Sequence, residues 1–280
     1  ICRQKKIGHT GTLDPQATGV LPVCLGSATR ACEMLTDRTK EYVAELLLGK
    51  ITDTQDTTGT VLEEREVAVD EAQVREVIGS FVGGYDQIPP MYSALKVNGK
   101  KLYELARAGK EVERQARHVD LPAIEILEIR LPMVKFRVEC SKGTYIRSLC
   151  ADIGGKLGCG GTMQSLVRTR VGEFRLTDAL TLTQLQELRD MDRLEEALLP
   201  TDRIFADFNA VHVEEKWRKL IDNGNAFYPG QTMEQTTYPV GEWVRVYRED
   251  DSFVGIYAYD GAKEWYKPVK IFPSNTESRK

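Results

Sequence analysis

"AIEILEIRLPMVKFRVECSKGTYIRSLCADIGGKLG", residues 123–158, is the stretch whose reading decides the fold. "AIEILEIRL" and "MVKFRVECS" alternate apolar and charged residues, the signature of two half-buried strands. "TYIRSLCADIGGKLG" then switches to helical spacing, with Thr144 placed to cap the helix and Gly158 to stop it. Two strands in a row followed by one helix do not make a regular βαβ beat. Working outward, Tyr42–Gly49 ("YVAELLLG") reads as a buried strand and "TVLEER" from Thr60 as another. Asp70 with Gln73 makes a capping box for a helix running to about Phe81. Asn98-Gly99 in "VNGKK" signals a hairpin turn, followed by a short basic helix from Leu102 to Ala108 ending at Gly109. The expected fold class is α+β: a mostly antiparallel mixed sheet with flanking helices.

The character of the chain changes after "LLPTDRIF". "VEEKWRKLIDNG" reads as one amphipathic helix ended by Gly224, and "EWVRVYREDDSFVGIYAYDG" as a hairpin across an acidic turn. The expected organisation is a large domain over residues 1–208 and a small β-rich one over 209–280. The 280 residues allow both, and no apolar run approaches the roughly 20 residues of a membrane helix. Six scattered cysteines without a C-x-x-C pair, and three distant histidines, argue for reduced thiols and against a metal. The chain opens on Ile1 without a secretory signal, so a cytoplasmic protein whose natural N-terminus is missing is expected.

Net charge is −4, but the charges are segregated. Residues 87–118 carry seven Lys/Arg against three acids, and 135–175 eight against three. Acids gather in 53–76 and 177–208. Such a chain can present a basic face to phosphates despite its overall sign.

One carboxylate stands apart. In "KKIGHTGTLDPQATGVLPV", residues 5–23, Asp14 lies between a Gly-Thr run and Pro15, which disfavours helix at the residue before it. A carboxylate held in such a turn can act as nucleophile or general base; a turn-forming Asp-Pro without chemistry accounts for the same residues. In "GTYIRSL", Tyr145 and Arg147 leave a helix start in different directions, and an Arg reaching a buried carboxylate would hold it ionised. Tyr42 opens a buried strand, where a ring is either core or a stacking platform.

Taken in order, GHTGTLDPQATG, KEYVAELLLG, TDTQDTTG, PPMYSALKVNGKKLYELARAG and CSKGTYIRSL resemble the TruB family of tRNA pseudouridine synthases. The resemblance runs from Lys5 to about Arg175 and more loosely beyond. It implies that Asp14 is the catalytic aspartate, that Tyr42 stacks on the target base, and that Arg147 pairs with the carboxylate. Tyr145 would be a second active-site tyrosine, and Leu166, in "MQSLVRTRVG", an apolar wall of the uracil pocket. His9 would help displace the base from its loop, and Asp56, in "TDTQD", would lie close to the site. The C-terminal piece would resemble a PUA domain, a small RNA-touching barrel. The family's usual K-P-x-G-x-T-S-type motif before GHTG is absent from this sequence, and Met163-Gln164 stand where a histidine and an apolar residue are frequent.

The activity so implied turns uridine into pseudouridine in the T-stem-loop of tRNA, without metal or cofactor, in a protein expected to be monomeric. The base must be flipped out of its stack for this chemistry, and Lys96, Lys100, Lys101 and Arg107 are placed to meet phosphates. Two rivals remain at this stage. One is a noncatalytic RNA-binding or tRNA-folding protein on the same scaffold. The other is a carboxylate glycosidase, which needs a second acid, with Asp56 as the only candidate.

Overall fold

A computed structural model describes residues 1–97 and 99–273. Its residues group into two compact units, one comprising Gly11–Pro22 and Thr36–Ala179, the other Ile1–Thr10, Val23–Leu35 and the chain from Leu180 on.

The first unit is built on strand β1 (Lys40–Leu48), which lies inside a mixed sheet. Helix α1 (Glu71–Gly79) opens with both bonds of the Asp70/Gln73 capping box, as expected from the sequence. Helix α2 (Leu102–Arg107) follows a two-residue hairpin pairing Lys96 with Lys101, with Gly99 at φ +79°. Asn98, the other half of that turn signal, lies outside the described residues. Strands β2 (Ala123–Arg130) and β3 (Met133–Cys140) form the expected antiparallel hairpin, and β3 pairs along its whole length with β1. Helix α3 (Ile146–Lys156) leads into β4 (Gly161–Val171), which pairs antiparallel with the other edge of β1. The order β2-β3-β1-β4 is thus antiparallel throughout, and the short strand Thr18–Gly19 adds a parallel pairing to Val167 and Arg168. That addition makes the sheet mixed, and it brings the chain around Asp14 to the sheet.

Alternation places Ala44, Leu46 and Leu48 of β1 and Val134, Phe136 and Val138 of β3 on one face. Helix α3 covers that face with Ile146, Leu149, Cys150 and Ile153, and all ten side chains are buried. Each fully buried Leu or Phe contributes roughly 1.5–3 kcal/mol by removal from water. Gly154 lets the helix approach closely: a Cβ there would lie 2.2 Å from the Gly161 nitrogen at the start of β4. Tyr42, Leu166 and Arg168 share this inner face, Tyr42 standing opposite Arg168 and Ala44 opposite Leu166.

The helix start differs from the sequence expectation. Thr144 is not the cap; its hydroxyl donates instead to the Ser141 carbonyl at 2.9 Å, and Tyr145 occupies the N-cap position.

In the second unit, helix α4 (Leu182–Asp190) is capped by a Thr181/Gln184 box that the sequence reading passed over. Strand β5 (Asn209–Val213) runs parallel to β6 (Trp243–Arg248), and β6, β7 (Phe253–Asp260) and β8 (Trp265–Ile271) form an antiparallel meander. Val211, Val213, Val244, Val246, Tyr257 and Tyr266 fill its core. The expected single helix over "VEEKWRKLIDNG" is a 3-10 turn at Glu215–Trp217 followed by a short α-helix at Arg218–Asp222. The Glu215 N–H is drawn to the Glu249 carboxylate at 2.7 Å, and Trp217 leaves the helical region at φ −106°, ψ 2°. Among the described residues no helix is long and apolar enough to cross a membrane.

Candidate active site

The centre of the site is a buried guanidinium. Arg147, 5% exposed, sits in the first turn of α3, and its Nε and Nη2 donate to the two oxygens of Asp14 at 2.8 and 3.1 Å. This fork-on-carboxylate pairing is the strong, planar kind that fixes orientation as well as charge. The remaining donors are used too: Nη1 reaches the Thr54 carbonyl at 3.0 Å, and Nη2 the Tyr92 carbonyl at 2.9 Å. Three separate chain segments therefore converge on one side chain.

Asp56 faces the same guanidinium from another direction, its Oδ2 3.6 Å from Nη1. Its Oδ1 is already saturated by the Thr54 hydroxyl (2.8 Å), the Thr58 N–H (3.0 Å) and the Thr58 hydroxyl. Backbone bonds from Met163 to the Gln55 carbonyl and from Thr57 to the Met163 carbonyl tie this loop to β4. At position 163 it is thus the backbone that acts, while the Met side chain is core. Asp56 is locked and buried, whereas the Asp14 side chain remains one-third exposed. Of the two acids, Asp14 is the one that a substrate can reach.

How Asp14 is held is the part that sequence reasoning missed. Arg168 is 2% exposed, yet its guanidinium donates to backbone carbonyls on both sides of Asp14, at Val20 (2.7 Å) and Gly11 (3.2 Å). Its own carbonyl accepts the Val20 N–H at 2.8 Å. Gly19, at φ +111°, makes this possible, because a Cβ there would lie 2.2 Å from the Arg168 oxygen. The signal was present in "MQSLVRTRV": Arg168 shares the strand parity of Leu166, so it had to point inward.

The aromatic groups line the same region. Burial pushes the Tyr42 phenol above its ordinary value, with the Asp14 charge adding to the rise and Arg168 opposing it. Burial also raises Tyr145, against the pull of the Arg117 and Arg147 charges. Both phenols therefore stay neutral through the physiological range, as a stacking surface and hydrogen-bond donors. Leu166 is buried on the same inner face.

His9 is exposed at the end of the Ile7–His9 strand, opposite Val23, within the other unit. Lys96, Lys100 and Lys101 lie on the strands of the hairpin, and Arg107 ends α2, the helix that carries Tyr103. The Lys101 ammonium and the Arg107 guanidinium lie 5.3 and 5.4 Å from that ring's centre. The module joins the site's frame through Tyr103 N–H to Ser93 O, one residue past Tyr92.

An ion-paired, accessible carboxylate beside neutral phenols and an apolar wall, with no second mobile acid at the site among the described residues, fits an isomerase better than a hydrolase. Comparison with known proteins agrees. Residues 1–146 match the TruB family pseudouridylate synthase N-terminal domain, and 147–206 the tRNA pseudouridylate synthase B C-terminal domain. The tRNA pseudouridine synthase B of Lachnoclostridium phytofermentans is 50% identical over 282 residues, covering 97% of this chain and 92% of that protein. That of Alkaliphilus oremlandii is 49% identical over 267 residues, covering 95% and 88%. Among solved structures, a Cbf5-Nop10-Gar1 complex contains a chain with TM-score 0.69 at 27% identity, matching 97% of this chain and 78% of its own. The chain belongs to the TruB family of pseudouridylate synthases.

Proposed function

We infer that this protein isomerises uridine to pseudouridine in tRNA, and we propose the T-stem-loop as the substrate element. The observation that carries the reading is the accessible Asp14 carboxylate gripped at both oxygens by the buried Arg147. In the reaction the N1–C1′ bond breaks, the uracil turns, and C5 bonds to C1′. The C5 proton is lost and N1 gains one, so the composition is unchanged. A carboxylate can serve this sequence by attack at the sugar, by attack at the ring, or by taking a proton at C2′. All three need it ionised, and the two-pronged guanidinium contact fixes the direction of both its oxygens.

In this reading Tyr42 stacks on the flipped base, Leu166 closes the apolar side of the uracil pocket, and Tyr145 flanks Arg147. Asp56 serves as structural counter-charge to Arg147. His9 helps displace the target base, and the lysines and Arg107 around Tyr103 meet phosphates. The β-rich region from residue 209 is proposed as a PUA-like RNA contact, in a monomeric protein of the cytoplasm. A hydrolytic glycosidase is disfavoured because Asp56, its needed second acid, is buried, with one oxygen hydrogen-bonded within its own loop and the other turned to Arg147.

The test uses T-stem-loop RNA tritiated at uracil C5. Isomerisation releases the label to water while the base stays on the RNA, whereas hydrolysis would release free uracil that still carries the label. Asp14→Asn should keep RNA binding and abolish release; substantial turnover by that variant would refute the assignment.

A further inference from the structure

The angle of Arg147 is set by the helix that carries it, and the start of that helix has no side-chain cap of its own. A residue far away in sequence replaces the cap. Gln87, 1% exposed, ends the Tyr85–Gln87 strand. Its Oε1 accepts the Tyr145 N–H at 2.8 Å, and its Nε2 donates to the Tyr145 carbonyl at 3.0 Å. The side-chain amide thus pairs with residue 145 as a neighbouring strand would. The second Nε2 hydrogen goes to the Tyr85 hydroxyl at 2.6 Å, which in turn donates to Asp152 Oδ2 at 2.8 Å. The chain of bonds starts at the residue that opens α3 and returns to the same helix at Asp152. All three polar positions of the amide are used, so its orientation is unique.

We propose that Gln87 is a positioning residue for the isomerisation: its amide fixes residue 145, and thereby the direction in which Arg147, two residues on, holds the Asp14 carboxylate. The proposal rests on the isomerase reading above. Tyr145 sits at the hinge between the loop after β3 and the first turn of α3, and without Gln87 its N–H loses its partner. Residue 148 adds a second strut, its hydroxyl donating to Gln55 Oε1 at 2.8 Å on the Asp56 loop. Gln87 is the side chain that holds both the N–H and the carbonyl of the residue at the helix start. Burial pushes the Asp152 carboxyl upward, which suits a far anchor that is not itself a reacting charge.

The experiment compares Gln87→Met, which keeps length without hydrogen bonds, and Gln87→Glu, which keeps shape but loses the donors at neutral pH. Single-turnover tritium release at saturating RNA, RNA Kd by anisotropy and thermal melting are measured for each. The expected result is a release rate lower by about 10–100-fold, the range for a misplacement of about an ångström near the chemistry. Kd should stay unchanged, and Gln87→Glu should recover as pH falls, because a protonated carboxyl regains a donor. Folded variants with the wild-type rate would overturn the proposal. Proportional loss of rate and RNA affinity, or failure of both variants to fold, would overturn it too, since Gln87 would then be a binding or structural residue. A wild type that releases no label would remove the isomerase reading itself, an outcome distinct from active variants beside an active wild type.

Discussion

Adding one methyl group at Gly19 should disable the site without touching any group that meets the substrate. The glycine stands at φ +111°, and a Cβ built on it lies 2.2, 2.7 and 2.8 Å from the oxygen, nitrogen and carbonyl carbon of Arg168. Ordinary contact begins near 3.4 Å, so the two backbones must part by about 1 Å. None of the three atoms can rotate away, because all belong to the main chain of β4. Separation breaks the Val20 N–H bond to the Arg168 carbonyl and loosens the guanidinium contacts to Val20 and Gly11. Those contacts span the segment that presents Asp14. The positive φ adds about 1–3 kcal/mol of strain for a residue with a side chain. Displacement of a reacting carboxylate by about an ångström costs on the order of 100-fold in rate. Gly19→Ala should therefore lower single-turnover tritium release by roughly that factor, with RNA affinity preserved and the melting temperature reduced. A Gly19→Ala protein that turns over like the wild type would refute the claim that this crossing positions Asp14.

Arg147→Lys keeps the positive charge but replaces five fixed donors with three on a mobile stem, and charged hydrogen bonds of this kind are worth about 1.5–3 kcal/mol each; release should fall steeply although Asp14 keeps a counter-charge, and an unchanged rate would show that the fork geometry is dispensable. Tyr42→Ala should lose roughly 1–3 kcal/mol of base stacking and slow release, while Tyr42→Phe keeps the stack; equal activity of the Ala variant and the wild type would reduce Tyr42 to core. Lys100→Ala with Lys101→Ala should weaken RNA binding and flatten its salt dependence, with turnover at saturation little changed, because each neutralised phosphate releases counterions. An unaltered salt slope in fluorescence anisotropy would move the phosphate contacts away from this hairpin.

What could be read in the sequence was what its neighbours along the chain determine. β3 alternates cleanly because one face is dry, β2 does so apart from a bulge that leaves Leu127 exposed, and the Asp70/Gln73 box closes within a single turn, so local pattern sufficed. The errors arose where a distant partner decides. Thr144 has the chemistry of a cap, but a backbone-like clamp from Gln87, 58 residues away, satisfies the N–H of residue 145 instead. The helix expected at "VEEKWRKLIDNG" is shortened because its first residue, Val213, ends β5 and pairs with Arg248 of β6, 35 residues downstream. For the site, the family motifs pointed to Asp14, Arg147 and Asp56, which the fold joins. Arg168 was overlooked because a charged residue in a strand is ordinarily assigned to the wet face; here strand parity outranks charge, and the guanidinium is satisfied on the inner face by the Val20 and Gly11 carbonyls and the Tyr42 hydroxyl.

The ion pair at the centre of the site joins residues 133 positions apart, and the clamp on the Asp14 segment spans 148 and 157. During synthesis at about 5–20 residues per second, the aspartate waits roughly 7–27 s before its arginine even exists. Closing loops of that length is entropically costly and slow, so the strand order must be in place before the carboxylate can be seized. Formation of the central ion pair is thus a late event in the life of the nascent chain, and the segment carrying Asp14 is made well before the helix and strand whose arginines will hold it.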